Sequence, residues 1–458
     1  MNVLSKKLSS VWTTVGPRFL PFADAATADL PLSRLLRLSL FQVSVGMAIV
    51  LLVGTLNRVM IVELHVPTAL VSVMVGLPLF FAPLRALIGF RSDKHTSALG
   101  WRRVPYIWMG TLLQFGGFAI MPFALLVLSG GGNAAQAPAW VGHLGAGVAF
   151  LLVGAGLHTT QTVGLALATD LAPPDSRPKV VGLMCVMLLV GMICSAFLFG
   201  ELLVDYSPAR LVQVIQGAAL TTMGLNVIAL WKQEARNRNR QKVQEADPTF
   251  RESWNTFAQG GQAIRRLLVL GVGTVAFSME DVLLEPFGGE ILHLSVGSTT
   301  TLTATLAFGG LVGFGWASRV LSRGMDPFRM ASGGVWTGIP AFLAVIASAP
   351  LHSAPLFAAG TFLIGMGAGM FGHGTLTATM NLAPKDQAGL ALGAWGAVQA
   401  TCAGVAMAFG GVLRDGVASW TDSATGYATV YTLEVLLLCT TLAVMLPLIG
   451  RRPLQTAS

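Results

Sequence analysis

The sequence predicts an all-α membrane protein with twelve transmembrane helices, arranged as two pseudosymmetric halves of six helices. Composition is the first reason: 53% of the 458 residues are hydrophobic and only 11% are charged, which leaves too little polar surface for a soluble protein of this length. The second reason is that twelve apolar runs are each long enough to cross a bilayer, which takes roughly 20 residues. The third reason is an internal repeat that relates the two halves.

Each predicted span is an apolar run bounded by charged, glycine or proline residues. The predicted limits are 39–61, 68–90, 105–129, 141–169, 180–200, 210–231, 264–286, 298–318, 328–349, 354–381, 388–412 and 428–449. These spans divide the chain into a cytoplasmic N-terminal segment (1–38), an N-terminal half (39–231), a cytoplasmic linker (232–263), a C-terminal half (264–449) and a cytoplasmic tail (450–458).

The N-terminal segment carries apolar residues at helical spacing before Gly16-Pro17. These residues are Leu4, Leu8, Val11, Trp12 and Val15. The spacing predicts an amphipathic helix lying on the membrane surface, and a disordered tail is the alternative. No cleavable signal peptide is predicted, because the segment lacks a continuous apolar core.

Positive charges are distributed unevenly between the predicted loops. Of the 29 Lys and Arg, all but Arg58, Arg85, Arg210 and Arg414 fall in the termini or on one side of the predicted bundle. The positive-inside rule therefore predicts that both termini are cytoplasmic. The net charge of +8 follows from this topology and predicts no nucleic-acid partner. The cationic excess favours contact with anionic membrane lipid instead.

The internal repeat joins the fourth and tenth spans. FLLVGAG at Phe150–Gly156 matches TFLIGMG at Thr361–Gly367, and at the same offset of 211 DLAPPD at Asp170–Asp175 matches NLAPKD at Asn381–Asp386. Two six-helix halves related in this way are expected to enclose a central cavity.

The loop after the second span reads GFRSDKHTSALGWRR (Gly89–Arg103). It resembles the loop 2/3 signature of the major facilitator superfamily, although residues 95–99 look like an insertion. Asp93, Arg102 and Arg103 are expected to form ion pairs that lock or release the neighbouring helix ends. This resemblance supports the fold and says nothing about a cargo.

Five longer stretches carry a narrower resemblance. They are residues 15–48, 55–64, 82–108, 112–130 and 279–292, the last reading MEDVLLEPFGGEIL. The chain is similar in these stretches to the PucC/LhaA family of purple photosynthetic bacteria, also called the bacteriochlorophyll delivery family. The resemblance implies an assembly factor for light-harvesting antenna complexes, the core antenna being favoured, in the bacterial inner (intracytoplasmic) membrane. The implied partners are antenna polypeptides, the reaction centre–antenna core complex and chlorophyll synthase.

Bacteriochlorophyll is accordingly the expected cofactor, and two histidines are candidate axial ligands to its magnesium. A chlorophyll magnesium takes one such ligand, often a neutral imidazole, and the flat ring needs a small residue one helical turn away. His158 has Gly154 four residues before it, and His373 has Gly369. As the alternative, the histidines form hydrogen bonds between helices, and the glycines let helices pack closely.

The charged residues inside the predicted spans lie near their periplasmic ends. Alignment of TLNRVMIVEL with SMEDVLLEPF sets Arg58 opposite Asp281, which predicts an ion pair that holds the periplasmic side shut. The alternative is that these groups reach interfacial water. A proton-driven transporter needs an ionisable group near the bilayer midplane, and the predicted spans offer almost none.

No enzyme is expected, because a phosphate loop, a nucleophile elbow and a zinc pair are all missing from the sequence. The leading interpretation is a pigment-binding assembly factor. A secondary transporter or flippase for a tetrapyrrole or another amphiphile is the second interpretation. A scaffold that binds antenna helices without pigment is the third.

Overall fold

The computed structural model describes residues 30–80, 88, 92, 97, 100–130, 137–173, 176–234, 263–382 and 388–449. Within these ranges the chain forms helices and loops, and no strand occurs. The helices are α1 (Leu32–Glu63), α2 (Thr68–Phe80), α3 (Val104–Leu128), α4 (Ala139–Leu171), α5 (Arg177–Leu202), α6 (Pro208–Leu230), α7 (Ile264–Glu290), α8 (Val296–Leu321), α9 (Pro327–Ser348), α10 (Ala354–Leu382), α11 (Ala388–Ala418) and α12 (Ser423–Met445). In the described part of the chain, 11 helices are long and apolar enough to cross a membrane, and α2 is a shorter apolar helix. The predicted all-α fold is confirmed.

The predicted helix limits differ most at the N-terminus. α1 begins at Leu32, inside the segment that was predicted to be cytoplasmic and separate from the spans. Leu35 and Leu38 are fully buried against the bundle, and Arg34 donates from its Nη2 to the carbonyl oxygen of Gln233 at 2.8 Å. These contacts make the added turns part of the first half. The predicted surface helix in residues 1–16 lies outside the described residues.

Several helices begin at a side chain that caps the first turn. Ser207, Ser295, Asp326 and Asp422 precede α6, α8, α9 and α12, and each side chain accepts a hydrogen bond from the backbone N–H three residues later. The Thr425 backbone N–H and hydroxyl both donate to Asp422, which holds the pKa of that carboxyl below its usual value. The caps fix where each helix starts.

Glycines line the contacts between the two halves. α2 of the first half packs against α11 of the second, and α5 packs against α8. A Cβ atom on Gly76 would lie 2.8 Å from the carbonyl oxygen of Gly404, and one on Gly297 would lie 2.7 Å from that of Gly200. Only a residue without a side chain permits such an approach between two helix backbones. The halves are therefore held together by close backbone packing.

One end of the bundle joins the halves through polar contacts. It carries the loops at 64–67, 203–207, 291–295, 349–353 and 419–422, and we call it the closed end. The contacts there include Asn57 Nδ2 to Val282 O at 2.7 Å and the backbone N–H of Ala69 to Asp415 Oδ2 at 2.7 Å. The opposite end, with Arg102 and Arg103, is called the signature end.

The charge distribution predicts which side each end faces. Reporter tags fused after Arg103, within residues 232–261 and at Ser458 should all report a cytoplasmic location, because almost all of the basic residues lie on that side. The measurement is a pair of complementary fusion assays, one active only in the cytoplasm and one only in the periplasm. A periplasmic signal from any of the three sites would contradict the twelve-span topology.

Candidate functional site

The two arginines of the signature loop bind the C-terminal end of α4. Arg103 Nε donates to Asp170 Oδ2 at 3.0 Å, and Arg102 Nη2 forms an ion pair with the same carboxylate. A carboxylate at the C-terminus of a helix opposes the helix dipole, so the two guanidinium groups offset an unfavourable placement. Asp93, the predicted partner within the loop, lies outside the described residues.

The same loop is also attached to the start of the linker. Glu234 accepts hydrogen bonds from the backbone N–H groups of Arg102 at 2.8 Å and Val104 at 3.0 Å. These N–H groups open α3, where the first turn has no partners within its own helix. Glu234 thereby fixes the first residues after α6 to the start of α3. Gln233 fixes them to the start of α1, through Arg34.

The candidate pigment ligands His158 and His373 lie on corresponding helices of different halves. Both side chains are half-buried, and both lie in the part of α4 or α10 nearer the signature end. The imidazole of His373 packs on Phe314 of α8, with 4.2 Å between the ring centroids. Magnesium ligation by either histidine stays a prediction.

The candidate resting surfaces for the ring, Gly154 and Gly369, are covered by protein in this conformation. A Cβ atom on Gly154 would overlap the ring of Pro78 on α2. A Cβ atom on Gly369 would lie 2.5 Å from the carbonyl oxygen of Gly310 on α8. A surface that cannot accept one methyl group cannot accept a macrocycle, so no ring can lie over these two glycines in this conformation. The alternative, close helix packing, describes them.

Arg58 does not form the predicted ion pair with Asp281. Its Nη1 donates to Glu63 Oε1 at 2.5 Å, and its Nη2 donates to the carbonyl oxygen of Leu294 at 3.0 Å. The end of α1 has π-helical geometry, in which residue i bonds to residue i+5, and this spacing sets Glu63 beside Arg58. The arginine still joins the two halves at the closed end, through a backbone carbonyl.

Two carboxyl groups meet deep inside the second half. Glu280 is 1% exposed and Glu434 is 0% exposed, and Glu434 Oε1 accepts the backbone N–H of Glu280 at 2.9 Å. Glu434 is the twelfth of the 23 residues of α12, so it lies roughly 17 Å from the start of that helix. For these two acids, the expectation of a position near the periplasmic end and the alternative of contact with interfacial water are both wrong.

A small cavity lies where α1 meets α7, and we call it the acidic cavity. Its volume is about 50 Å³, and it is lined by Asp281 and Glu285 of α7, Gly54 of α1, Met192 of α5 and Thr303 of α8, among other residues. Both helices are irregular at this level: α1 is π-helical over Val50–Leu56, and α7 is interrupted between Ala276 and Leu284. Irregular helices at matching positions of two halves are typical of binding sites in transporters.

A larger pocket of about 530 Å³ opens at the closed end. Arg414 lines it and is buried, with its Nη1 donating to Thr68 Oγ1 at 3.2 Å and to Asp415 Oδ1 at 2.8 Å. Its Nη2 pairs with Glu290, and its Cζ atom lies 4.5 Å from the centre of the Tyr427 ring. This one side chain contacts α2, α7 and α12.

Glu285 was expected only as one of the charges near the periplasmic ends of the spans, and no site role was predicted for Arg414, Asp170 or Glu234. Asp170 carried a usable signal, because it opens the repeated DLAPPD motif directly at a helix end. Glu285 also carried a signal, since it is an acid inside an apolar run. Arg414 and Glu234 carried none, because their partners are far away in the sequence.

The comparisons with known proteins agree on one family. A family model described as PUCC protein matches residues 55–453. "Protein PucC" of Rhodovulum sulfidophilum is 66% identical over 420 residues, which cover 91% of this chain and 92% of that protein. "Protein PucC" of Cereibacter sphaeroides is 58% identical over 95% of this chain and 96% of that protein. A more distant relative, "Bacteriochlorophyll synthase 44.5 kDa chain" of Rhodobacter capsulatus, is 27% identical over 88% of this chain and 92% of that protein.

Solved structures show the same fold at low sequence identity. A bacterial homologue of the human lysosomal transporter Spinster, inward-facing and unoccupied, has a TM-score of 0.67 at 14% identity, covering 90% of this chain and 95% of that one. A bacterial homologue of the iron transporter ferroportin, inward-facing, has a TM-score of 0.65 at 13% identity. The match covers 92% of this chain and 99% of that one. These likenesses establish a transporter-like fold of two six-helix halves. With that fold and the family match over most of its length, the chain belongs to the PUCC protein family.

Proposed function

We propose that this protein is an assembly factor for a bacterial light-harvesting complex, the core antenna being favoured, and that it binds antenna polypeptides within the membrane. Family membership supports a role in photosynthetic membranes, and the name of the Rhodobacter capsulatus relative connects that relative with bacteriochlorophyll. The proposed location is the inner (intracytoplasmic) membrane, with both termini cytoplasmic. In this proposal the protein is not an enzyme and acts by holding its partners.

The observation that best supports binding of antenna polypeptides is the outer face of α6. This face is exposed and combines small and polar residues, which are Gln213, Gln216, Gly217, Thr221 and Gly224. Gly217 and Gly224 are two helical turns apart and so lie on one side of the helix, and neither has another atom within 4 Å of where a Cβ would be. Glycines and glutamines on a membrane-facing surface favour contact with another helix over contact with lipid tails. We infer that α6 receives a transmembrane helix of an antenna polypeptide.

Bacteriochlorophyll is the proposed cofactor, with His158 and His373 as the candidate ligands. When bound, the pigment would supply a magnesium ion that takes one neutral imidazole. Both side chains are half-buried, which leaves part of each imidazole within reach of a ligand. Because Gly154 and Gly369 are covered, the ring would have to lie against other parts of α4 or α10. The reaction centre–antenna core complex and chlorophyll synthase are further proposed partners.

A secondary transporter or flippase for a tetrapyrrole or another amphiphile is the second candidate function. The acidic cavity between α1 and α7 favours it, because buried carboxyl groups at the interface of two such halves are a feature of ion-coupled transport. The sequence predicted almost no ionisable group near the bilayer midplane, which spoke against proton coupling. Glu280, Glu285 and Glu434 are buried acids inside the bundle, so this objection no longer holds.

Gly217→Leu should block the proposed docking face without disturbing the fold. The new side chain points into open space, so the free energy of unfolding should change by no more than about 0.5 kcal/mol. The amount of antenna polypeptide that copurifies in mild detergent from the pigmented source should fall several-fold, because the leucine prevents close helix approach.

Gly315→Leu is the matched control. Gly315 lies on α8 of the other half and also has open space around it, so its replacement should leave copurification unchanged. Equal losses from both variants, or no loss from Gly217→Leu, would remove α6 as the docking face. An absorption spectrum of the same samples reports whether pigment leaves together with the polypeptide.

A further inference from the structure

The carboxyl group of Glu285 is wedged between the two halves. The residue is 3% exposed, and its Oε1 accepts a hydrogen bond from the Thr303 hydroxyl and touches α1 at Gly54. Its second oxygen, Oε2, has no hydrogen-bond donor among the described residues. Asp281, one helical turn earlier in α7, lines the same cavity. Glu285, which is buried, and Asp281, which is partly exposed, therefore both line a cavity of about 50 Å³.

Among the residues that the structure describes, no Lys or Arg lines the cavity to balance these acids. The charged and titratable groups nearest to them are Arg58 and Glu63 on α1, Glu280 on α7 and Glu434 on α12. Arg58 is already paired with Glu63 at 2.5 Å, and α5, α8 and α10 contribute Met192, Thr303 and Thr361 to the cavity wall. An unpaired carboxylate inside a membrane protein is costly, by about 2.5 kcal/mol or more, so the buried Glu285 requires a bound positive charge.

The size and shape of the cavity favour a proton as that charge. A buried water needs about 10–15 Å³ of accessible volume, so 50 Å³ admits a few waters that can carry protons. A metal ion such as Ca²⁺ takes 6–8 oxygen ligands, whereas two carboxyl groups and a threonine hydroxyl provide at most about five without waters. No cluster of three or more metal-ligating side chains occurs among the described residues.

We propose that Glu285 and Asp281 form a proton-binding site between the halves. Glu285 holds the proton while α1 and α7 are packed together, and the proton passes to water as a hydronium ion when the two helices separate. The ionised carboxylate then disfavours re-closure until it is protonated again. The site gives the protein a means of coupling a proton gradient to movement of its halves, which is independent of whether α6 binds antenna polypeptides.

Infrared difference spectroscopy of the purified full chain in lipid nanodiscs tests the site. A step in pH should remove the carbonyl band of a protonated carboxyl group, and Glu285→Gln should abolish that part of the difference spectrum. Glu434→Gln removes one carboxyl group of the Glu280–Glu434 pair, so any band that it removes belongs to that pair. This band must differ from the one that Glu285→Gln removes. Glu201→Gln is the control, because that carboxylate is exposed near the end of α5 and does not line the cavity, and it should leave the band unchanged.

Thr303→Val provides a second variant that keeps the carboxyl group. It removes the hydroxyl that donates to Glu285, so the band should shift in frequency without being lost. A band that neither Glu285→Gln nor Thr303→Val alters would overturn the proposal. A saturable stabilisation by Na⁺ at constant pH that disappears in Glu285→Gln would also overturn it, since the site would then bind a metal cation in place of a proton.

Discussion

Gly369→Leu is expected to reduce the yield of folded protein sharply, whereas Gly372→Leu on the same helix is expected to be tolerated. At Gly369 a Cβ would lie 2.5 Å from the Gly310 carbonyl oxygen and 3.1 Å from the Phe314 nitrogen, both backbone atoms of α8 that cannot rotate away. Overpacking of this kind costs about 1–3 kcal/mol and sometimes more. At Gly372 no atom lies within 4 Å. Thermal unfolding followed by size-exclusion chromatography in detergent measures both.

His373→Leu separates pigment binding from packing. The histidine is half-buried and stacks on Phe314, so leucine should preserve the fold. If the imidazole binds magnesium, the pigment-to-protein ratio of the purified variant should fall while Gly372→Leu leaves the ratio near that of the wild type. An unchanged ratio in both His373→Leu and His158→Leu, with less folded protein, would instead identify the histidines as partners in helix packing.

The sequence was a reliable guide to the fold because the constraints on a membrane helix are local. Length and apolar composition define each span, and the repeat at Phe150 and Thr361 shows which helices correspond. Local reasoning was less successful at helix ends. α12 begins at Ser423, earlier than the predicted 428, because Asp422 caps it. Because the helix starts earlier than predicted, Glu434 lies in the middle of α12 and not near its end.

The candidate site was less predictable because its contacts depend on the tertiary structure. His158–Gly154 and His373–Gly369 are genuine helical neighbours, yet which helix covers each glycine is set by packing between α2, α4, α8 and α10. Arg58 was predicted to pair with Asp281 and instead contacts Glu63 and the carbonyl oxygen of Leu294. Its partners differ from the prediction because π-helical geometry, which the sequence does not reveal, brings Glu63 next to it. The sequence also does not reveal the break in α7, which positions Asp281 and Glu285 at the acidic cavity.

The exposed face of α6 and the acids of the cavity lie in different parts of the fold. An assembly factor needs a surface for its partners, and α6 offers one on the outside of the first half. A proton site lies between the halves, where it can change their relative position without touching that surface. The fold thus allows binding and movement to be altered separately by mutation, through Gly217 in one case and Glu285 in the other.

Arg414→Met is expected to cost about 1–3 kcal/mol of stability, because it removes one partner from an ion pair whose carboxylate is partly exposed to the pocket at the closed end. Arg414 is 8% exposed, and its loss leaves Glu290 without its cation and Thr68 without a hydrogen bond. Asp415 would still accept the Ala69 backbone N–H at 2.7 Å, so the contact between α2 and α11 should weaken and not vanish. The measurement is the free energy of unfolding, or the melting temperature, in detergent.

Arg210→Met is the control for this prediction. Arg210 lies at the same end of the bundle but is exposed, so its loss should change stability by no more than about 0.5 kcal/mol. Glu290→Gln in the Arg414→Met background should recover part of the loss, because the amide removes the unpaired, partly buried charge. A double variant no more stable than Arg414→Met would show that the arginine acts through its packing on Tyr427 and its bond to Thr68. Arg414→Lys distinguishes these roles further, since an ammonium group keeps the charge but cannot reach Thr68, Asp415 and Glu290 with a planar fork.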